Sequence, residues 1–117
     1  MTTFTLGTYQ TADARRPFTE WIEGLRDIKG RAKIQARLAR VTVGNFGDAE
    51  PVGDGVMELK IDWGPGYRVY YARIDRTVIL LLWGGNKGTQ QRDIQRAKDY
   101  FNDYQERIQK KRKKGRA

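Results

Sequence analysis

Two chemically useful side chains are missing from this sequence: its 117 residues include no cysteine and no histidine. Disulfide bonds and thiolate metal sites are therefore excluded, and a transition-metal site lacks its usual ligands. Long apolar runs are missing as well. The longest, residues 77–83, has the length of a buried strand rather than the ~20 residues of a membrane-spanning helix. Because the N-terminal segment also lacks the pattern of a secretory signal, we expect a cytoplasmic protein with no membrane partner.

Acidic residues are missing from the C-terminal end, and this asymmetry accounts for most of the net charge of +9. Residues 107–117 include seven basic residues and no acidic one, against 16 basic and 14 acidic residues in the rest of the chain. Such a segment is either a solvated chain end or a non-specific contact to nucleic acid. We expect one domain over residues 1–109 and a disordered basic tail over residues 110–117. The candidate nucleic-acid-binding residues are Arg73, Arg92, Lys110, Lys111, Arg112, Lys113 and Lys114.

The first third of the chain predicts one strand and two helices. Residues 4–11 alternate loosely and are rich in threonine and tyrosine, as in a strand. Pro17 suits the first turn of a helix, and Gly30 ends the apolar stripe that follows it. A second helix is predicted over residues 31–43, with Arg37 on its more exposed side.

Three strands joined by short turns are predicted next, at residues 56–63, 67–72 and 77–83. The last of them is apolar throughout, which is typical of a central strand covered on both faces. A final helix from Gln90 carries an apolar stripe at helical spacing. The order β-α-α-β-β-β-α predicts an α+β domain with an antiparallel meander sheet packed by helices on one face.

The first two strands of this meander alternate polar and apolar residues, so one face of the sheet carries the polar set. A polar face with cations and tyrosine suits phosphate chemistry, although cross-strand ion pairs on a solvated face give the same pattern. Two further polar residues follow the central strand and could close over this face. The six candidate catalytic residues are Glu58, Lys60, Arg68, Tyr70, Lys87 and Asp93.

Several motifs occur in order over residues 18–97. They are Pro17-Phe18-x-x-Trp21 with Leu25-x-Asp27, Gly44-Asn45-Phe46-Gly47-Asp48, Gly55-Val56, Gly64-Pro65-Gly66-Tyr67-Arg68-Val69-Tyr70, and Gly84-Gly85-Asn86-Lys87-x-Thr89-Gln90-x-x-Asp93-Ile94-x-x-Ala97. In these motifs the chain resembles the RelE/ParE superfamily of toxins from type II toxin–antitoxin modules. The resemblance is greater to the HigB-like addiction module killer branch.

The resemblance implies a RelE/ParE-like fold and a ribosome-dependent endoribonuclease that cuts mRNA and stops translation. It also implies a cognate antitoxin, often with a helix-turn-helix domain, in a toxin–antitoxin hetero-oligomer. The implied chemistry is attack of a ribose 2′-hydroxyl on the adjacent phosphate without metal or cofactor, which needs a base, an acid and cations. By motif position, Arg68 matches the arginine that stabilises the developing charge, Lys60 matches a basic strand residue, and Lys87 lies near the position of the cation after the central strand.

Three departures from the family pattern leave the proton acceptor open. Glu58 stands where RelE has a second strand lysine, and Asp93 or a neighbour stands where RelE has a base-stacking tyrosine. HigB toxins have a histidine in that last region, and this chain has none. Tyr70 could stack a base or transfer a proton, although a tyrosine in a strand is more commonly buried. Two alternatives to the nuclease are a ParE-like inhibitor of DNA gyrase and an inactive binding homologue.

Overall fold

A five-stranded sheet with helices on both faces forms the centre of the structure. The computed structural model describes residues 2–115. Its elements along the chain are β1 (Thr5–Thr8), α1 (Pro17–Glu23), α2 (Ile28–Thr42), β2 (Ala49–Gly53), β3 (Val56–Ile61), β4 (Tyr67–Asp75), β5 (Val78–Asn86) and α3 (Gln90–Lys114). A short 3-10 turn, Lys87–Thr89, joins β5 to α3. The α+β class predicted from the sequence is confirmed.

The sheet is mixed, with the strand order β1-β5-β4-β3-β2. β1 runs parallel to β5, whereas the other neighbouring strands are antiparallel. The meander of β3, β4 and β5 therefore has the predicted pairing. The sequence pattern does not predict β2, because this short edge strand contains proline and glycine and lacks apolar alternation.

Each face of the sheet has its own hydrophobic core. On one face α1 and α2 cover a core that includes Ile34, Leu59 and Val69. On the other face Phe101 of α3 belongs to a second core with Leu82 of β5. The prediction that helices pack on one face only is therefore wrong. β5 presents apolar side chains to both faces, and burial of both sets requires a cover on each side.

α2 begins at Ile28, earlier than the sequence predicts, because Asp27 caps it. The Asp27 carboxylate accepts hydrogen bonds from the Gly30 backbone N–H at 2.8 Å and from the Tyr67 hydroxyl at 2.9 Å. These bonds, the one from Gly30 foremost, lower the pKa of Asp27. Gly30 lies inside α2 rather than at a helix end. A Cβ at this position would lie 2.6 Å from the Tyr67 ring, so glycine permits the close approach.

Arg37 is buried, although the sequence predicts it on the exposed side of α2. Its guanidinium donates hydrogen bonds to three backbone carbonyls: those of Phe46 (3.1 Å), Asp48 (3.0 Å) and Lys60 (2.7 Å). Buried carbonyls need such partners, and a guanidinium can supply several donors at once. Through these hydrogen bonds Arg37 connects the loop after α2 to the end of β3.

α3 continues to Lys114, and the basic side chains of its last turn are exposed. Residues 110–114 are thus helical where the sequence predicts a disordered tail, whereas Arg116 and Ala117 lie outside the described residues. Within residues 2–115, no helix combines the length and the apolar character that crossing a membrane requires.

Candidate functional site

All three predicted catalytic cations, Lys60, Arg68 and Lys87, line a single cleft of about 350 Å³. The cleft lies where the end of β3, the β3–β4 turn and the 3-10 turn come together. Two carboxylates, Asp48 and Asp62, line it as well. We call this surface the cation cleft.

The register of the sheet brings Lys60 and Arg68 together. They lie directly opposite each other on β3 and β4, and Arg68 lies opposite Gly85 on β5. Residues paired in this way project from the same face. Lys87 lies near these two residues because its backbone N–H donates a hydrogen bond to the Gly66 carbonyl at 2.8 Å, which holds the 3-10 turn against the β3–β4 turn. Gly66 has a φ of 77°, and a Cβ there would lie 3.3 Å from Cβ of Lys87. Glycine at this turn therefore lets the two segments approach.

Glu58 is fully buried behind Arg68 rather than in the cation cleft. Its Oε1 lies 3.8 Å from Nε of Arg68. The Tyr70 hydroxyl donates to Oε2 at 3.0 Å, and the Gln90 amide donates to the two carboxylate oxygens at 3.1 and 2.9 Å. Both oxygens of the carboxylate are thus held in place. Glu58 is positioned to be the counter-ion that fixes the Arg68 guanidinium.

Arg68 is held from two sides. Its side chain is 12% exposed, with Glu58 on one side and two backbone carbonyls on the other. Nη1 donates to the carbonyls of Gly66 at 3.2 Å and Tyr67 at 3.3 Å. The buried Nε has no hydrogen-bond partner within residues 2–115. Because a guanidinium has five N–H donors, this arrangement leaves donors for an oxyanion in the cleft.

Tyr70 is fully buried under α3 and does not line the cation cleft. Burial raises the pKa of its hydroxyl well above the ordinary value, and the neighbouring Glu58 charge raises it further. The hydroxyl therefore keeps its proton and donates it in the bond to Glu58. In this position the ring can neither stack a base nor exchange a proton with a bound substrate.

Asp93 is also buried, in the first turn of α3, at 2% exposure. Its carboxylate accepts a hydrogen bond from Nε1 of Trp83 at 2.9 Å and another from the Thr89 hydroxyl. There is no room for a side chain at Gly85, against which Asp93 packs. Asp93 therefore joins the start of α3 to β5 and lies outside the cation cleft lining.

Lys60 has a partner that the sequence does not suggest. Its Nζ lies 2.6 Å from Oε1 of Glu50, on the unpredicted strand β2. This contact raises the pKa of Lys60. The ammonium is therefore charged throughout the physiological range and remains at the edge of the cleft.

Asp48 and Asp62 are cleft residues that the sequence pattern does not single out as candidates. Asp62 comes directly after β3 and two positions after Lys60, so the polar–apolar alternation in the sequence could have identified it. Asp48 carries no such periodic signal. Its backbone carbonyl accepts from the backbone N–H of Lys60 at 2.9 Å and from Arg37 at 3.0 Å. A long-range contact therefore determines its position.

The candidate nucleic-acid-binding residues lie in three separate places. Arg73 is at the far end of β4, with its guanidinium 5.0 Å from the centre of the Phe4 ring. Arg92 is exposed near the start of α3 and shares a surface depression with Lys87. The remaining five form the exposed last turns of α3: Lys110, Lys111, Arg112, Lys113 and Lys114. Of the three places, the one at Arg92 adjoins the cation cleft.

The fold and the cleft define an α+β protein with a cationic, partly acidic cleft at one corner of a mixed sheet. A protein of Haemophilus influenzae described as an uncharacterized protein is 47% identical over 81 residues, which cover 69% of this chain and 82% of that protein. This chain therefore belongs to the same family as the Haemophilus influenzae protein. No family model matches the chain.

Proposed function

We propose that this protein is a HigB-like toxin of the RelE/ParE superfamily, a ribosome-dependent endoribonuclease that cuts mRNA and inhibits translation. The observation that carries this proposal is the cation cleft, which collects Lys60, Arg68 and Lys87 in one place. A phosphate attacked by its own 2′-hydroxyl passes through a phosphorane that carries additional negative charge. Cations held in advance around that position lower the barrier, because they need no rearrangement when the charge develops.

The order of the elements supports the proposal at the level of the fold. Apart from β2, it is the order β-α-α-β-β-β-α that the resemblance implies. The sequence motifs that carry the resemblance also supply parts of the cleft. Gly66 and Arg68 belong to one motif and Lys87 to another, and all three line the cleft.

In the proposed mechanism Arg68 stabilises the phosphorane. Glu58 fixes the guanidinium from behind, and Tyr70 and Gln90 fix Glu58 in turn. Glu58 and Tyr70 are then positioning residues rather than catalytic ones. Asp93 acts in the same indirect way, since it holds the start of α3 against β5 and so determines where the 3-10 turn presents Lys87.

The proton acceptor in the proposed mechanism is a carboxylate of the cleft, Asp48 or Asp62. The 2′-hydroxyl gives its proton to this carboxylate while the bond between O2′ and phosphorus forms. The bond between phosphorus and O5′ then breaks, and the 5′-oxygen leaves with a proton from solvent. The products are a 2′,3′-cyclic phosphate and a 5′-hydroxyl, and general base catalysis of this kind typically contributes ~10²–10⁴-fold in rate.

The proposed activity implies its partners. Ribosomes and mRNA are the substrate assembly, which puts the site of action in the cytoplasm. A cognate antitoxin, of the helix-turn-helix type common in the HigB-like branch, would neutralise the toxin in a hetero-oligomeric complex. Co-expression with the product of the neighbouring reading frame should then relieve growth arrest.

Induction in a bacterial host tests the proposed function. Protein synthesis should stop before DNA synthesis, and primer extension should find new 5′ ends inside translated regions. The same cuts should form on purified ribosomes in the presence of a chelator. Arrest of DNA replication with intact transcripts would identify a gyrase inhibitor instead, and undisturbed growth with full expression would identify an inactive homologue.

A further inference from the structure

A second concave surface, of about 850 Å³, lies between α1 and α3. Its lining combines arginines with aromatic rings: Arg15, Arg92 and Arg96 with Trp21, Trp83 and Tyr100. We call it the α1–α3 groove. No step of the proposed mechanism uses it.

The groove has an ordered cationic and aromatic wall. Arg92, Arg96 and Tyr100 recur at every fourth position and so lie on one side of α3. The Arg96 guanidinium lies 5.0 Å from the centre of the Trp83 ring, and the Tyr100 ring meets Trp83 edge-on at 6.1 Å. The hydrogen bond from Nε1 of Trp83 to Asp93 fixes the indole. The wall is therefore arranged before any ligand arrives.

Charge is distributed unevenly along the groove. At the α1 side Arg15 is paired with Glu20 at 2.6 Å, which offsets its charge, and Asp99 adds an acidic group to the lining. Arg92 is 72% exposed and lies 4.0 Å from the buried Asp93 carboxylate. Because Arg96 adds a second arginine beside Arg92, positive charge exceeds negative charge at this end, which is the positive end of the groove.

That positive end adjoins the cation cleft. Arg92 lines both the α1–α3 groove and the depression around the start of α3, and Lys87 lines both that depression and the cation cleft. Cationic side chains thus follow one another from Lys60 and Arg68 through Lys87 and Arg92 to Arg96. A groove that pairs such a series with aromatic rings has the features of single-strand binding sites.

We propose that the α1–α3 groove binds the segment of single-stranded RNA next to the phosphate in the cation cleft. Arg92 and Arg96 contact the backbone, and a base packs against the wall of Trp83 and Tyr100. This inference rests on the proposed function, since it extends the substrate site of that reaction. Because every base has an aromatic face, the groove adds affinity without a preference for sequence.

Binding of a single-stranded RNA with 2′-O-methyl groups tests the inference, because blocked 2′-hydroxyls separate binding from cleavage. The RNA would have roughly ten nucleotides, within the range of known single-strand sites. Fluorescence anisotropy over a series of salt concentrations would compare the wild type with Arg92→Gln/Arg96→Gln. We expect roughly ten-fold weaker binding for this variant, and a salt slope smaller by about 0.7 for each phosphate that the variant no longer neutralises.

The matched control is Arg31→Gln/Arg40→Gln, which removes the same charge from α2 and should bind like the wild type. A strand of the same length without bases should bind the wild type roughly ten-fold more weakly, because it cannot stack on the aromatic wall. Equal binding by the groove variant and the control, or by the strands with and without bases, would overturn the inference.

Cleavage measured separately on ribosomes distinguishes the two proposals. If the wild type cleaves mRNA but the groove variant still binds the methylated RNA normally, the inference about the groove is refuted and the proposed function stands. If the wild type binds the methylated RNA through the groove but cuts no mRNA, the proposed function is refuted. The groove is then a single-strand binding site only.

Discussion

Two glutamates that each face a cation have opposite surroundings. Glu58 is fully buried beside Arg68, whereas Glu50 is 54% exposed beside Lys60. Water screens the exposed pair and cannot reach the buried one, so burial rather than distance decides the effect of losing either partner. A buried charge left without its partner is strongly destabilising.

Replacement of Glu58 should therefore destabilise the fold far more than replacement of Glu50. We expect Glu58→Gln to lower the free energy of unfolding by about 3 kcal/mol, since the Arg68 charge would remain without a counter-ion. Glu50→Gln should have a much smaller effect. Urea denaturation of the two variants provides the comparison, and equal losses would contradict the role assigned to Glu58.

At the same scale, sequence alternation predicts part of the site. It predicts that Lys60 and Arg68 share a sheet face, because a short turn forces β3 and β4 to pair with a defined register. It does not predict that Glu58 on that face is buried, and it leaves both burial and a catalytic role open for Tyr70. Their burial depends on α3, which docks on the sheet through contacts distant in sequence.

At the scale of elements, Tyr9 joins the end of β1 to the middle of α3. Its hydroxyl donates to Oδ2 of Asp103 at 2.6 Å, and its ring stacks on Tyr100 with 4.9 Å between centres. Burial is the largest cause of a raised pKa of Tyr9, and the hydrogen bond to Asp103 is the second; together they raise it to about 12. The hydroxyl is thus protonated in the folded protein at a pH at which an unfolded chain releases the proton.

This contact should make stability depend on pH in the alkaline range. The folded pKa is higher than the unfolded one, so the contribution of Tyr9 is complete below pH 10.0 and is lost as the pH rises to about 12. Tyr9→Phe has no such group to ionise. The difference in free energy of unfolding between the wild type and Tyr9→Phe should therefore shrink over this interval, as measured by denaturation at a series of pH values. A constant difference would contradict the assignment.

The end of α3 presents its basic side chains on a helix rather than on a disordered tail. We expect neutralisation of residues 110–114 by glutamine to leave the fold intact, to weaken ribosome binding and to flatten its salt dependence, because each phosphate contact contributes to the slope. Circular dichroism would monitor the fold. A lysine-to-arginine version of the same segment keeps the charge and should bind normally, and an unchanged slope for the glutamine version would exclude this end from the interface.

Sequence patterns differ in how well they predict these elements. The uninterrupted apolar run of β5 already indicates that both sheet faces need a cover, which α1, α2 and α3 provide. β2 has no pattern of its own, and its pairing with β3 becomes visible only in the folded sheet. The start of α2 depends on Asp27, whose capping role requires knowledge of the local backbone.

At the scale of the whole molecule, α3 connects the surfaces that matter for the proposed function. Its 25 residues span ~37 Å at the usual helical rise, in a structure whose extents are 51 × 34 × 24 Å. The cation cleft and the α1–α3 groove lie near its start, and the basic turns lie at its end. An extended RNA or ribosomal surface could therefore contact the molecule at several places along one helix.

The same overall arrangement determines which cleft residues can be replaced without loss of stability. Lys87 lies on the rim of the cation cleft and belongs to neither core, whereas Arg68 has the buried Glu58 carboxylate as its counter-ion at 3.8 Å. A variant at Lys87 therefore tests the chemistry without the structural disturbance that a variant at Arg68 brings. The two variants together separate loss of activity from loss of fold.

The most direct test of the central claim is cleavage of mRNA on purified ribosomes by the wild type, Arg68→Gln and Lys87→Gln, with Arg40→Gln on α2 as the matched control. Removal of one preorganised donor to an oxyanion typically slows an enzyme by about 10²–10³-fold. We expect losses of about that size for Arg68→Gln and Lys87→Gln, with unchanged circular dichroism for Lys87→Gln, and wild-type rates for Arg40→Gln. Wild-type rates for both cleft variants, or no cleavage by the wild type, would contradict the claim that the cation cleft cleaves mRNA.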